Sequence, residues 1–322
     1  MKKKISANRI YSTFKGDCRA PKLGEQCEQL LAQQQKTWPE LREAYRSLLA
    51  VESREVSCDG FSVRLIYNPG RAANTAADVR PEAVEKRPCF LCHLNLPADQ
   101  KGILYRGSYL VLGNPRPAIH SHLTIAHIHH RPQTILEHVG TFLQITADLG
   151  DGWTTLYNGP QCGASAPDHL HFQAIPSGKM PIEGDIEKIQ KFSPINAGPG
   201  ASLCRAKGLG RNVVVIKSGN ATKIGHAFRK YMERLGKESL SMEEPMVNVA
   251  GSISNGTWRL LIFPRRTHRP AAFYKEGDER IAVSPAIMEM AGIIVTPVKK
   301  DFEHLDCGTV ESIYREVSLM SV

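Results

Sequence analysis

The chain has 322 residues, 42% of them apolar, 23% charged and 7% aromatic, a balance typical of globular proteins and unlike that of disordered, collagenous or disulfide-scaffold chains. A net charge of +9 favours anionic partners without selecting among them. With no basic stripe interleaved with aromatics, nucleic acid is not expected, and phosphorylated small molecules or a generally basic surface account for the charge equally well. No apolar run approaches the ~20 residues that span a bilayer, and no hydrophobic region follows the basic opening Met1-Lys2-Lys3-Lys4, so a cytoplasmic chain without a membrane partner is expected. Eight cysteines, at 18, 27, 58, 89, 92, 162, 204 and 307, are scattered too irregularly for a disulfide framework.

In chain order, Leu30, Leu31, Trp38, Leu41, Tyr45, Leu48 and Leu49 recur at helical spacing, which predicts a helix or helix pair from about Glu25 to Glu52. Phe61–Tyr67 alternates like a strand and runs into the turn Asn68-Pro69-Gly70, with Arg71 following. Ile103–Tyr105, Tyr109–Leu112 and His122–Ala126 read as three strands of an antiparallel sheet. A helix is expected from near Arg131 to Leu149, then a strand at Trp153–Tyr157, a Gly-rich loop over 158–168 and a strand over His169–Ile175. The proline- and glycine-rich stretch 176–200 reads as a connector with one short helix near Ile186. Beyond it the pattern predicts strands at Asn212–Lys217, Trp258–Phe263 and Ile293–Val298, and helices at Thr222–Leu235, Pro285–Gly292 and Ser312–Val317. Leu123–Pro132 and Leu261–Pro270 share their first Leu and a closing His-Arg-Pro, which suggests an internal duplication.

Six of the twelve histidines lie between His120 and His138, and His169 and His171 follow closely. Such crowding suits metal binding or phosphate chemistry, since imidazole is both a common ligand and the side chain that exchanges protons near neutrality. On a strand, His169, His171 and Gln173 share one face while Leu170 and Phe172 anchor the other. The preceding loop, Asn158 to Pro167, is rich in small residues that let backbone amides face an anion. Cys89-Phe90-Leu91-Cys92 has the spacing of a zinc clamp, but the spacing alone also fits a redox pair or two buried thiols. Gly208-Leu209-Gly210 precedes a strand, the wrong order for a dinucleotide fingerprint, and no P-loop is present.

Together, Asn158-Gly159, Gly163-Ala164-Ser165 and His169-Leu170-His171-Phe172-Gln173 resemble the His-x-His-x-Gln signature of the galactose-1-phosphate uridylyltransferase branch of the histidine-triad superfamily. That branch includes the diadenosine tetraphosphate phosphorylases and the GDP-hexose phosphorylases. The wording His-Leu-His-Phe-Gln and the segment Pro285–Gly292 are most similar to the GDP-hexose group, and Asn114-Pro115-Arg116-Pro117 through His130 resembles the superfamily's strand ending in histidine. The likeness covers roughly residues 60 to 305.

The resemblance implies an α+β, histidine-triad-like fold of two related halves, each an antiparallel sheet flanked by helices. It divides the chain into a helical segment (1–55), a half carrying the motif (56–190) and a half lacking it (191–322). It implies a nucleotidyltransferase or phosphorylase acting on an NDP-sugar or dinucleoside polyphosphate, with His171 as nucleophile and phosphate or a sugar phosphate as acceptor. Gln173 and Ser165 would donate to phosphoryl oxygens, with Asn158, Gly163, Asn68, Arg71 and His122 as further substrate contacts. Hydrolases of the superfamily usually carry a third histidine where this chain has Gln173, which favours an acceptor other than water. Zinc-bearing members imply a structural Zn²⁺ on Cys89, Cys92, His130 and His169, with His129 the rival of His130. A homodimer is expected by analogy alone. The alternatives are a nucleotide hydrolase using the same His171, a zinc-stabilised nucleotide-binding module without catalysis, and a Cys-x-x-Cys redox protein.

Overall fold

The structure, a computed structural model, describes residues 5–17, 22–195, 199–239 and 243–320. The basic opening Met1–Lys4 and Cys18 lie outside the described residues.

The first half of the chain begins with β1 (Ile10–Phe14), α1 (Leu23–Thr37) and α2 (Pro39–Leu49), the expected helix pair separated at Trp38-Pro39. Then come β2 (Glu52–Cys58), β3 (Phe61–Tyr67) and the single turns α3 (Ala72–Thr75) and α4 (Pro81–Glu85). The sheet strands β4 (Gly102–Tyr105), β5 (Tyr109–Gly113) and β6 (Leu123–His127) lead to α5 (Val139–Leu149), β7 (Trp153–Asn158) and β8 (His171–Pro176). After α6 (Pro181–Lys188) and β9 (Phe192–Pro194), the order repeats: β10 (Ser202–Ala206), β11 (Val213–Ser218), α7 (Ala221–Ser239), β12 (Val247–Ser254) and β13 (Thr257–Pro264). The chain closes with α8 (Ile287–Met290), β14 (Ile293–Thr296), α9 (Lys299–His304) and α10 (Cys307–Val317).

The fold is α+β, with two sheets flanked by helices. Strands of both halves join in one eleven-stranded sheet, ordered β1-β4-β5-β6-β8-β7-β12-β13-β11-β10-β9. The order β5-β6-β8-β7 is mirrored by β12-β13-β11-β10, and each set carries one helix, α5 or α7, between its second and third strand in sequence. The halves meet where β7 and β12 pair antiparallel, Asn158 opposite Asn248. A second sheet, β14-β3-β2, takes strands from both ends of the chain. Alternation along the strands sends Phe172, Leu260 and Ile262 into a core under α1, α5 and α7, and Ile175, Leu261 and Phe263 into a core shared with the small sheet and α10. Because both faces are covered, these strands read as continuous apolar runs, and spacing alone could not say which side each residue takes.

Several expectations are corrected. The helix expected from Arg131 begins only at Val139. The Glu244 carboxylate accepts from the amides of Ile135 and Leu136 at 2.6 and 3.1 Å and from Thr134 Oγ1 at 2.7 Å, so that segment spends its donors on a side chain instead of a helical turn. Pro285–Gly292 forms only the short α8. The His-Arg-Pro echo aligns β6 with β13, although in the repeated order β6 corresponds to β11, so that alignment does not follow the structural repeat. β2 escaped notice because, as an edge strand, it buries only Val56 among charged neighbours. Cys58 and Cys307 are paired as a disulfide, with Cα atoms 5.5 Å apart although 249 positions separate them in sequence; spacing could not anticipate that contact. Among the described residues, no helix is long and apolar enough to cross a membrane.

The seam between the halves is knotted by buried Arg265. Its Nη1 donates to Asn248 Oδ1 at 2.6 Å and to the Pro285 carbonyl, its Nη2 to the carbonyls of Thr267 and His268, and its Nε to that of Val317. Arg265→Ala strips five acceptors of their donor and should destabilise by roughly 3 kcal/mol or more. Urea unfolding reads this directly, and a loss below about 1 kcal/mol would contradict it.

Candidate active site and metal cluster

Strand β8 sends Phe172 and Ala174 into the helix-covered core, so His171 and Gln173 emerge on the opposite face, where they line a cavity of about 570 Å³. That is within the range of small-molecule sites. His171 Nδ1 lies 2.8 Å from the His169 carbonyl. A carbonyl only accepts, so Nδ1 carries the proton and Nε2 keeps its lone pair. Burial, the largest influence, holds His171 below its ordinary pKa, partly opposed by that hydrogen bond. The ring is therefore a neutral imidazole with one bare nitrogen. The backbone beneath it is clamped by Gln133, whose Oε1 accepts from the His171 amide at 2.8 Å and whose Nε2 donates to the carbonyls of His171 and Asn158.

Behind Gln173 lies His122, 3% exposed. Its Nδ1 accepts from the Ala118 amide at 3.3 Å and its Nε2 donates to Gln173 Oε1 at 2.6 Å. With Oε1 occupied, the Gln173 amino group is the end left to donate into the cavity. His122 thus orients Gln173 and does not itself line the cavity.

His169 lies just ahead of β8, fully buried, and the cavity is lined by His171 and Gln173 without it. Its Nε2 donates to the His127 carbonyl at 2.7 Å, which turns the Nδ1 lone pair towards Cys89 Sγ at 3.2 Å and Cys92 Sγ at 3.6 Å. Cys92 Sγ is 3.3 Å from His130 Nδ1. One donor atom from each of Cys89, Cys92, His130 and His169 falls within 4.8 Å of all the others. Tetrahedral bonds of ~2.0–2.3 Å put ligand atoms roughly 3.3–3.8 Å apart, so the set fits one metal ion. Asp168 Oδ2, 3.4 Å from His130 Nε2, and the His127 carbonyl stand where outer partners of metal-bound imidazoles stand. His129 does not join the cluster; its amide donates to His127 Nδ1. Burial pushes the Cys89 thiol up to about 12, the opposite of a reactive redox cysteine.

The remaining expected site residues divide. Ser165 lines the larger cavity and also a smaller neighbouring pocket, which Gly163 and Arg71 share. Gly163 has φ +103°, and a Cβ there would stand 2.5 Å from Ala286 Cβ, so this loop position requires glycine. Asn158 is turned away from the cavity: its Oδ1 accepts from Asn248 Nδ2 and the Ile287 amide, both at 2.8 Å, and so ties the halves together. Asn68 is buried at the end of β3, where its amide continues the ladder to Thr296, and it lines neither space. Sequence reasoning missed Gln133, Arg116 and Arg87. Arg87, two residues before Cys89, reaches the cavity with Nη2 donating to the Ser165 carbonyl at 2.8 Å and its guanidinium 4.7 Å from the Phe90 ring centre.

A family model described as a domain of unknown function, DUF4922, matches residues 30–176. A search of curated protein sequences finds no match. Among solved structures, the chain is similar to yeast Ap4A phosphorylase Apa2 in complex with AMP, at 15% identity, covering 92% of this chain and 97% of that one with a TM-score of 0.61. The same yeast enzyme in complex with Ap4A gives 13% identity, 92% and 98% coverage and a TM-score of 0.61. The chain therefore has the histidine-triad-like fold of the Ap4A phosphorylase, in agreement with the branch that the His-Leu-His-Phe-Gln resemblance indicates.

At neutral pH, a long-range ¹H–¹⁵N correlation spectrum should show His171 as the neutral Nδ1–H tautomer; a protonated ring there would contradict the geometry. Burial holds His122 down to about 4 from its ordinary 6.5. Its contribution to stability is present above about 6.5 and lost as pH falls through the window to about 4, because the unfolded chain takes up the proton first. In His122→Gln, that part of the acid destabilisation should disappear from pH-dependent melting curves.

Proposed function

We propose that the chain is a nucleotidyltransferase of phosphorylase type, acting on an NDP-sugar or a dinucleoside polyphosphate through a nucleotidyl intermediate on His171. The observation that carries this reading is the bare Nε2 of a neutral, backbone-oriented His171 beside a cavity large enough for a nucleotide. The fold is shared with an Ap4A phosphorylase that binds AMP and Ap4A, which supports the same substrate class. Function is argued from the site, since fold by itself does not assign it.

In the first step, the Nε2 lone pair forms a bond to the α-phosphorus, the bond from phosphorus to the bridging oxygen breaks, and the leaving phosphate departs with that electron pair. In the second, an oxygen of inorganic phosphate or a sugar phosphate attacks the same phosphorus, and the bond to Nε2 breaks, restoring neutral imidazole. Dividing the transfer into two displacements lowers each barrier. The Nδ1–H bond to the His169 carbonyl spreads the positive charge that the ring acquires. Gln173 and Ser165 donate to the phosphoryl oxygens as charge builds on them.

The metal is proposed to be Zn²⁺, because two thiolates and two imidazoles are its preferred ligands. Cys89, Cys92, His130 and His169 would hold it, and four protein ligands leave no position for water, so it would supply structure and not chemistry. The division into a helical segment (1–55), a catalytic half (56–190) and a supporting half (191–322) is part of the same proposal.

Incubation with NDP-sugars and dinucleoside polyphosphates labelled at the α-phosphate tests the class. Acid-labile label should appear on the wild type and vanish in His171→Ala, with turnover reduced at least roughly 1000-fold. Gln173→Ala should retain labelling at about 100-fold lower kcat. Label that persists in His171→Ala would end this reading, and label discharged by water as fast as by phosphate would make the protein a hydrolase. Elemental analysis should find about one zinc per chain, lost along with thermal stability in Cys92→Ser; a metal content unaffected by that change would remove the ion from this cluster.

A further inference from the structure

The Thr267-His268-Arg269-Pro270 turn, which looked like an echo of His130-Arg131-Pro132, has no part in the chemistry described so far. It follows β13, and it lines a small pocket of about 60 Å³ together with Arg71, Ser165, Ser284 and Glu289. The pocket is small beside the cavity of about 570 Å³, a space suited to a small polar group. Ser165 and Ala77 line both this pocket and the catalytic cavity, so the two spaces adjoin.

The pocket's chemistry favours a small anion. Two guanidinium groups, Arg71 and Arg269, and one carboxylate, Glu289, line the pocket itself, while Asp78, in the lining of the adjoining cavity, also acts on Arg269 from outside it. Desolvation is the largest influence lowering both arginines from their ordinary values, and a bound anion would relieve that cost. Burial holds His268 down to about 4, so it enters as a neutral hydrogen-bonding group. Both arginines are held in place. Arg71 donates to the Arg116 carbonyl at 2.6 Å. Arg269 donates to Ser284 Oγ at 2.8 Å and to the carbonyls of Thr75 and Ala77, with its guanidinium 4.2 Å from the Phe273 ring centre. Glu289 accepts from the Ala286 amide at 2.9 Å and pairs electrostatically with Arg71. A rigid pair of cations beside a site of phosphoryl transfer is how proteins hold a phosphate dianion.

We propose that this pocket, walled by Arg71 from the first half and by His268, Arg269 and Ser284 from the second, is the subsite for the phosphate dianion that accepts the nucleotide. Its role as acceptor site rests on the proposed transferase function, whereas its binding of phosphate does not. Double displacement requires the acceptor to approach phosphorus from the side opposite His171 Nε2, the side the leaving phosphate has vacated, so an acceptor held next to Ser165 needs only a short approach. The size of the pocket favours inorganic phosphate; a sugar phosphate would have to leave its sugar in the larger cavity.

Calorimetric titration of the full chain with inorganic phosphate, and separately with glucose 1-phosphate, tests this. The wild type and His171→Ala should both bind inorganic phosphate, because the nucleophile is not part of the pocket. Arg269→Gln and Arg71→Gln should each bind it at least 10-fold more weakly, with melting curves confirming a folded protein; if Arg269→Gln does not fold, Arg71→Gln carries the comparison. Glucose 1-phosphate binding tighter than phosphate, and weakened by the same variants, would identify a sugar phosphate as the source of the dianion; equal or weaker binding identifies inorganic phosphate. Failure of the wild type to bind either, or undiminished binding in both variants, overturns the subsite even if His171 is labelled. Binding that the variants lose, with no label on His171 from any nucleotide, leaves the subsite standing and removes the transferase reading.

Discussion

His169 faces two ways, and the candidate site depends on that. Its imidazole, with Nε2 tied to the His127 carbonyl, aims Nδ1 at the thiols of Cys89 and Cys92. Its own carbonyl accepts the Nδ1 proton of His171 and so decides which nitrogen of the neighbouring ring stays bare. One residue therefore couples the Cys–His cluster to the tautomer of His171, and movement of the Cys89–Cys92 loop would be felt directly at His171. Two residues of sequence separate His169, in the Cys–His cluster, from the ring it orients, an economy available because both sit at the mouth of a strand whose next residues are buried in the core.

Around this pair, positioning is done by uncharged amides and carbonyls. Gln133 clamps the backbone of His171 and reaches the Asn158 carbonyl, while Asn158 in turn holds Asn248 and the start of α8. Arg265 anchors Asn248 from the other side. The line of hydrogen bonds runs from His171 across the β7–β12 seam into the second half, whose strands extend the same sheet and whose loops wall the space beside Ser165. The buried polar groups along this line are costly if left unpaired, which makes the seam demanding of side-chain identity even far from the cavity.

Much of the site was legible in five consecutive residues. Leu170 and Phe172 are large and apolar, so on a strand they must go inward, and His171 and Gln173 must then face the other way. The Cys89–Cys92 spacing left metal, redox pair and buried thiols open, and resemblance supplied both the metal reading and the distant partners. Asn158, Asn68 and His122 were legible as polar residues near the site but not in their tasks, because whether an amide meets a ligand or another amide depends on what the rest of the chain brings to it. Gln133 and Arg87 carried no recognisable pattern, and each matters only through contacts with segments dozens of residues away.

The sequence by itself determined the local alternation that sets His171 and Gln173 on one face of β8 and the spacing that puts two thiols close enough to share an ion. These follow from backbone periodicity and covalent spacing, which act over a few residues. Only the tertiary structure decided that the two halves share one continuous sheet, that Cys58 meets Cys307, that His130 and not His129 completes the cluster, and that Arg71 and Arg269 converge beside Ser165. Those outcomes depend on how two covered sheet faces pack and on which buried donors find acceptors, and no short-range pattern encodes either.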